Sequence, residues 1–254
     1  DMSGTSSDNA CNSINQLLNN IKERYGKYSD WKNIQIEVAS GTYYENIDIM
    51  GWIGCGQIII KLNPNAKIYG RWRIYDNTMM TIIKGGRDSI DTNVGAELIL
   101  NNEHLGCLFY IRNCHCSIEG VRAINKCKPS SDGSKYGGSF VQGECANIHI
   151  TTCDISRFYY GLRADKTCLG NLINTRGYTR YRAISRYGSI VSMAGVPEEI
   201  ESSWQDWGGQ IYKANNNKYP SLYDPNYEST DSGGTTPPTT PPTTVFASPD
   251  LLPE

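Results

Sequence analysis

The sequence predicts an all-β molecule, a right-handed parallel β-helix with an N-terminal capping helix. One observation is a succession of short pieces rich in β-branched residues, each closed by Gly, Asn or Pro, with no helical pattern between them. Another is a 21-residue period in the second half of the chain, the mark of a solenoid. The third is composition: 25 Gly, 17 Tyr and only 20% charged residues among 254 suit turns and sheet walls better than helical bundles.

Over residues 13–25, Ile14, Leu17, Leu18 and Ile21 recur at helical spacing, with Asn12 or Ser13 as N-cap. A lone amphipathic helix ahead of many strands suits a plug over the open end of a solenoid, where backbone edges need covering. Then come IQIEVAS (34–40), ENIDIMG (45–51) and QIIIKLN (57–63), each of strand length. Up to Leu100 the strands follow no single register; from Phe109 they do. Ile148, Leu169 and Ile190 are spaced by 21, and Cys116 precedes Ile148 by 32. The polar stretch KCKPSSDGSKY (126–136) has 11 residues, accounts for the surplus, and is expected to project as a loop. The same steps align Phe109, Val141, Leu162 and Ala183, all apolar, and Cys114, Ala146, Thr167 and Gly188, all small. They also align His115, Asn147, Cys168 and Ser189, polar or small. Such residues would stack about 4.8 Å apart on successive coils.

Beyond Gly195 the period ends. Trp204, Trp207, Tyr212, Tyr219, Tyr223 and Tyr227 follow with little periodicity, and SGGTTPPTTPPTT (232–244) reads as a semi-rigid linker. The last ten residues, VFASPDLLPE, are too few to fold alone. The organisation is therefore an N-terminal segment and capping helix (1–33), the β-helix (34–195), an aromatic-rich irregular cap (196–230), and a linker and tail (231–254).

A net charge of −2 argues against a nucleic-acid partner, which needs a basic face. No apolar run approaches the roughly 20 residues that span a bilayer, so no membrane insertion is expected. The opening DMSGTSSDNA lacks the basic and apolar regions of a signal peptide, and a chain opening on Asp1 is expected to be a fragment or a processed product. Nine cysteines leave at least one thiol unpaired within the chain, and Cys114 with Cys116 forms C-x-C rather than a zinc-ribbon pair. They read as small buried residues made in a reducing cytoplasm.

DNACNSINQLLNNI, followed by IQIEVASGTYYENIDIMGWIGCGQIIIKL, resembles the opening of pectin-lyase-like β-helix proteins, closest to those of tailed phages and prophages of Firmicutes. Val38, Gly41, Thr42, Tyr43, Glu45 and Asn46, then Gly51, Gly54 and Gly56, carry the likeness. SIEGVRAIN, NIHITTCDIS, YYGLRAD and GSIVSMAGVP extend it over roughly residues 8–242. The resemblance implies a tail-fibre, tail-spike or baseplate-appendage component, commonly a homotrimer. It would be made in the host cytoplasm and act outside as part of the virion tail. Its partners would be other phage tail proteins and a host cell-surface glycan. Chemistry does not follow, because the fold hosts lyases, hydrolases, esterases and pure binders.

The period places Arg112, Glu144, Asp165 and Arg186 in one column, and two readings stay open. Carboxylates about 5 Å apart serve retaining glycosidases as nucleophile and general acid, which would make Glu144 and Asp165 the catalytic pair of a polysaccharide depolymerase. Flanking arginines, however, lower carboxylate pKa values, whereas a general acid needs its pKa raised. The other reading is a charge-balanced ladder. Glu45 and Asp48 flank an early strand, and Glu45 reads as a turn residue. Asp88 and Asp91 in GGRDSID read as calcium ligands or as solvated turn formers, and no other metal or cofactor is expected. Of three histidines, His115 falls in the polar column and His149 in the column of Ser117, Gly170 and Val191, while His104 joins neither. No triad or phosphate-binding loop is present.

Tyr159 and Arg180 share a column beside Tyr160 and Tyr181, and Tyr178 shares one with Arg157. Sugar rings stack on aromatic faces while Arg bonds their hydroxyls. Tyr159, Tyr160, Arg163, Tyr178, Arg180 and Tyr181 are therefore the candidate glycan-binding residues, although Tyr beside Arg also makes an ordinary solenoid wall. The expected function is structural and receptor-binding, with the depolymerase as the alternative. A secreted carbohydrate-binding protein is disfavoured by the nine cysteines.

Overall fold

The computed structural model describes residues 10–25, 28–29, 33–88, 94–101, 106–127, 137–177, 179–195, 203–213 and 245–247. α1 (Ile14–Tyr25) and β1 (Tyr28–Ser29) come first, and the chain then passes repeatedly through three sheets in a fixed order. The first pass is β2 (Ile34–Val38), β3 (Gly41–Tyr44) and β4 (Ile47–Met50). β5 (Ile53–Gly54) pairs with β1 before the second pass, β6 (Gln57–Leu62), β7 (Ala66–Tyr69) and β8 (Trp72–Tyr75). The third is β9 (Met80–Lys84), β10 (Glu97–Leu100) and β11 (Cys107–Arg112). The fourth is β12 (His115–Glu119), β13 (Arg122–Asn125) and β14 (Gly137–Glu144). The fifth is β15 (Asn147–Thr151), β16 (Asp154–Ser156) and β17 (Phe158–Asp165). In the sixth, β18 (Leu169–Ile173) and β19 (Thr179–Arg186) flank Arg176, which bridges to Asp154. β20 (Ile190–Ala194), β21 (Ser203–Asp206) and β22 (Gln210–Lys213) follow, and β23 (Val245–Ala247) lies near the chain's end. The sheets have nine, five and seven strands. The fold is mostly β, with parallel strands in stacked sheets, an arrangement compatible with an all-β parallel solenoid.

Alternation makes the strands. In β2, Ile34, Ile36 and Val38 point inward while Gln35 and Glu37 face out, and β6 repeats the pattern with Ile58, Ile60 and Leu62. Register then stacks like on like: Ile36, Ile60, Ile83, Ile118, Ile150, Leu172 and Met193 form one buried column through the first sheet. In the third sheet Ile47, Trp72, Phe109, Val141, Leu162 and Ala183 do the same. Trp72 meets Phe109 at 5.5 Å between ring centroids, and Phe140 meets Phe109 edge-on at 5.4 Å.

Corners are made by one or two left-handed residues. Between the third sheet and the first these are Gly51, Asp76, Asn113, Cys145, Lys166, Tyr187 and Trp207, with φ between 45° and 67°. A left-handed residue bends the chain sharply, and at three of these corners its N–H bonds across to the next pass: Asp76 to Arg112 O at 3.0 Å, Asn113 to Glu144 O at 3.1 Å and Cys145 to Lys166 O at 3.0 Å.

α1 is fixed to the first pass. Ser13 is the N-cap, its Oγ accepting from Gln16 N–H at 3.1 Å. Glu45 lies in the corner between β3 and β4, and its carboxylate accepts from the N–H groups of Ile14 (2.9 Å) and Asn15 (3.2 Å) and from Ser13 Oγ (2.8 Å). An anion at a helix N-terminus complements the dipole and the unpaired donors there. Asn15 Oδ1 accepts from Asp48 N–H at 2.9 Å, and Lys22 Nζ donates to Met50 O at 2.7 Å. The helix thereby partners backbone groups along β4, while Ile14, Leu17, Leu18 and Ile21 join the core.

Two expectations need correction. The 21-residue step holds in the third sheet, but β15 pairs with β18 one residue out, so Ile148 faces Gly170 rather than Leu169. The corner before β18 uses two left-handed residues, Lys166 and Thr167, where the preceding corner uses Cys145 alone. A one-residue slip exchanges inside for outside. Leu169 and Ile190 are 49% and 39% exposed, the inward column is Cys116, Ile148, Gly170 and Val191, and His149 pairs with Asn171 rather than Gly170. Cys168 and Ser189, not Thr167 and Gly188, continue the small buried column of Cys114 and Ala146. Second, pairing does not stop at Gly195: β21 and β22 extend the third and first sheets. The last ten residues contribute β23, which pairs antiparallel with β2. Steps of 24 and 23 now join Ile34, Ile58 and Thr81, a register that was hidden in the first half. Residues 128–136, the body of the expected loop, lie outside the described residues, yet the 32-residue step from β11 to β14 leaves room for it.

Candidate functional site

The outer face of the third sheet gathers both sets of predicted residues, because outward positions of β11, β14, β17 and β19 stack in register. Arg112 pairs with Glu144 and Glu144 with Asp165, and Asp206 stands opposite Arg186 in the next strand. Asp165, 4% exposed at its side chain, takes Arg186 in two hydrogen bonds, Nε to Oδ1 at 2.7 Å and Nη2 to Oδ2 at 2.9 Å. Arg163 Nε adds a third at 2.8 Å. Burial pushes the Asp165 carboxyl up, but the Arg186 hydrogen bonds and the Arg163 charge outweigh it and hold the group below its usual range. Glu144 does not use Arg112. It takes Lys166 Nζ at 2.7 Å, while Arg112 turns back to Asp76 at 3.1 Å and lies 5.2 Å from the Tyr75 ring. Arg112, Glu144, Asp165 and Arg186 are thus each answered by an opposite charge, and an acid with a lowered pKa is poorly suited to donate a proton.

The aromatic patch lies toward the start of β17 and β19. Tyr160 pairs with Tyr181, their rings stacked at 5.7 Å and 26°. Tyr159 stands edge-on to Tyr160 at 4.7 Å and tilted against Tyr181 at 5.4 Å. The Arg180 guanidinium covers Tyr159 at 5.3 Å and Tyr181 at 5.7 Å. Tyr159, Tyr160, Arg180 and Tyr181 are therefore brought together. Arg163 is committed to Asp165, and Tyr178 lies outside the described residues.

Sequence reasoning missed a second stack and a groove. Tyr187 and Trp207, left-handed residues of successive corners, stack at 4.6 Å and 15° and are 45% and 59% exposed, with Arg186 beside both. Their 20-residue separation was the available signal, lost because the period seemed to end at Gly195. The groove, ≈ 520 Å³, lies across the first sheet and is lined by Glu37, Val38, Leu62, Pro64, Lys61 and Lys84 among others. Lys61 pairs with Glu37 at 3.4 Å and Lys84 with Glu119 at 3.7 Å, and none of the predicted site residues lines it.

His115 is exposed beside Asn147, and His149 sits on the outer face between Ser117 and Asn171; His104 lies outside the described residues. Asp88 is exposed, Asp91 is not described, and among the described residues no three His, Cys, Asp or Glu side chains gather to hold a metal. Six of the nine cysteines are buried; desolvation pushes Cys114, Cys153 and Cys168 up to about 12, out of the reactive range. No family model, curated protein or solved structure matches the chain.

Proposed function

We propose that the chain is a right-handed parallel β-helix closed at its N-terminal end by α1, and that it serves as a structural, receptor-binding part of a phage tail or tail-like particle. The resemblance of residues 8–242 to pectin-lyase-like proteins of tailed phages supports the setting, as a component that assembles with other tail proteins, as a homotrimer, and meets a host surface glycan. The observation that carries the binding role is the cluster of Tyr159, Tyr160, Tyr181 and Arg180 on an outer sheet face. Flat rings and a guanidinium on rigid strands suit the apolar faces and hydroxyls of sugars. The ion-paired Glu144 and Asp165 support a structural charge ladder rather than hydrolysis.

Incubation of the purified protein with host capsule and wall polysaccharides tests this reading. Expected are retention of polymer, no new reducing or unsaturated ends, and affinity about tenfold weaker in Tyr181→Ala, the scale of one lost stacking contact. Product formation that disappears in Glu144→Gln would establish the depolymerase instead.

A further inference from the structure

The edge of the nine-stranded sheet at β2 is closed by the chain's own end. β23 pairs antiparallel with β2, setting Ala247 opposite Ile36, Phe246 opposite Glu37 and Val245 opposite Val38. The other pairs of that sheet are parallel. The contact covers three of the five residues of β2. Between Lys213 and Val245 lie 31 residues, 214–244, which include the Gly/Pro/Thr stretch. From β22 to β2 the sheet has seven strand spacings, roughly 34 Å at about 4.8 Å each. A chain of 31 residues reaches on the order of 95 Å when extended at about 3.1 Å per residue. By residue count the connection is much longer than its own edge requires.

We propose that β23 is an exchangeable edge strand, seated on its own β2 when the protein is dilute and on the β2 of a second copy when copies are brought together. A strand edge with open N–H and C=O groups accepts an extended segment through backbone hydrogen bonds, whichever chain supplies it. The contacts are the same in either seat, so exchange sacrifices none of them and is decided by concentration. A tether of 31 residues that spans either seat sets an effective concentration on the order of millimolar. The strand's own edge therefore prevails at micromolar protein. Exchange takes over once neighbours sit at a comparable local concentration, as in an assembly. The inference rests on the β2–β23 pairing alone and does not depend on the glycan reading.

The register supplies the test. In full-length protein with Cys55, Cys127 and Cys145 replaced by Ser, the remaining cysteines are buried. Glu37→Cys and Phe246→Cys then place new thiols on paired residues for a short bis-maleimide cross-linker. The double variant is expected to link within one chain. An equimolar mixture of the two single variants is expected to give a covalent dimer rising at least tenfold between about 10 µM and about 1 mM protein, with none from Glu37→Cys alone. A mixture that stays monomeric at about 1 mM while the double variant links would overturn the exchange. A double variant that fails to link would overturn the pairing on which it rests.

Discussion

At the scale of single residues, Asp165 is the most consequential charge on the outer face. Its carboxylate is buried and bonded to two arginines, so Asp165→Asn leaves Arg163 and Arg186 without their counter-charge and with one acceptor oxygen fewer. Removing one partner from a buried ionic group costs about 3 kcal/mol. The folded carboxyl titrates below the unfolded value of about 3.9. Its contribution is therefore complete above that value and lost as pH falls through the lower, folded one. Urea midpoints at pH 7 and at about pH 2 should show the gap between wild type and Asp165→Asn shrinking on acidification; an unchanged gap contradicts the pairing. This column was legible because Arg112, Glu144 and Asp165 keep steps of 32 and 21 within one sheet. Which partner each charge takes was not: Lys166 reaches Glu144 from a corner whose geometry no column shows.

At the scale of elements, the corners decide which side chains are inside. Hydrophobicity alone favours Leu169 as the successor of Ile148, and the pair of left-handed residues at Lys166 and Thr167 overrules it. Left-handed turns were hard to read because Cys145, Lys166, Tyr187 and Trp207 stand where Gly or Asn would have announced them. Two truncations separate the registers. Ile148→Ala should cost about 2–5 kcal/mol and Leu169→Ala less than about 0.5 kcal/mol in denaturant unfolding. Equal losses would restore the uniform 21-residue step. α1 was legible down to its N-cap, whereas its acceptor on Glu45, 31 residues from Ile14, leaves no local pattern. Glu45→Ala removes the acceptor for the Ile14 and Asn15 N–H groups and should lower stability by about 1–2 kcal/mol. Thermal unfolding of that variant at wild-type temperature would show that α1 does not depend on the contact.

At the scale of the whole molecule, stacking converts a weak sequence signal into a continuous core. Each pass buries little by itself, and Ile36 through Met193 become a column only when the passes lie in register. The parallel, stacked character of the sheets was therefore legible from period and alternation, most clearly after Phe109. The first half was less legible because its steps of 24, 23 and 35 never repeat. The extension into β21 and β22 was hidden by the aromatic residues around it, and β23 by its position beyond the Pro/Thr stretch. Binding at the rigid outer face needs no acid with a raised pKa, and the third sheet presents aromatic rings and a guanidinium while its carboxylates are already spoken for by cations. A structure of the protein with an oligosaccharide cut from a polysaccharide it retains tests that account most directly. The account predicts an intact sugar stacked on Tyr159, Tyr160 and Tyr181 beside Arg180. A sugar seated between Glu144 and Asp165, with its glycosidic bond broken, would contradict it.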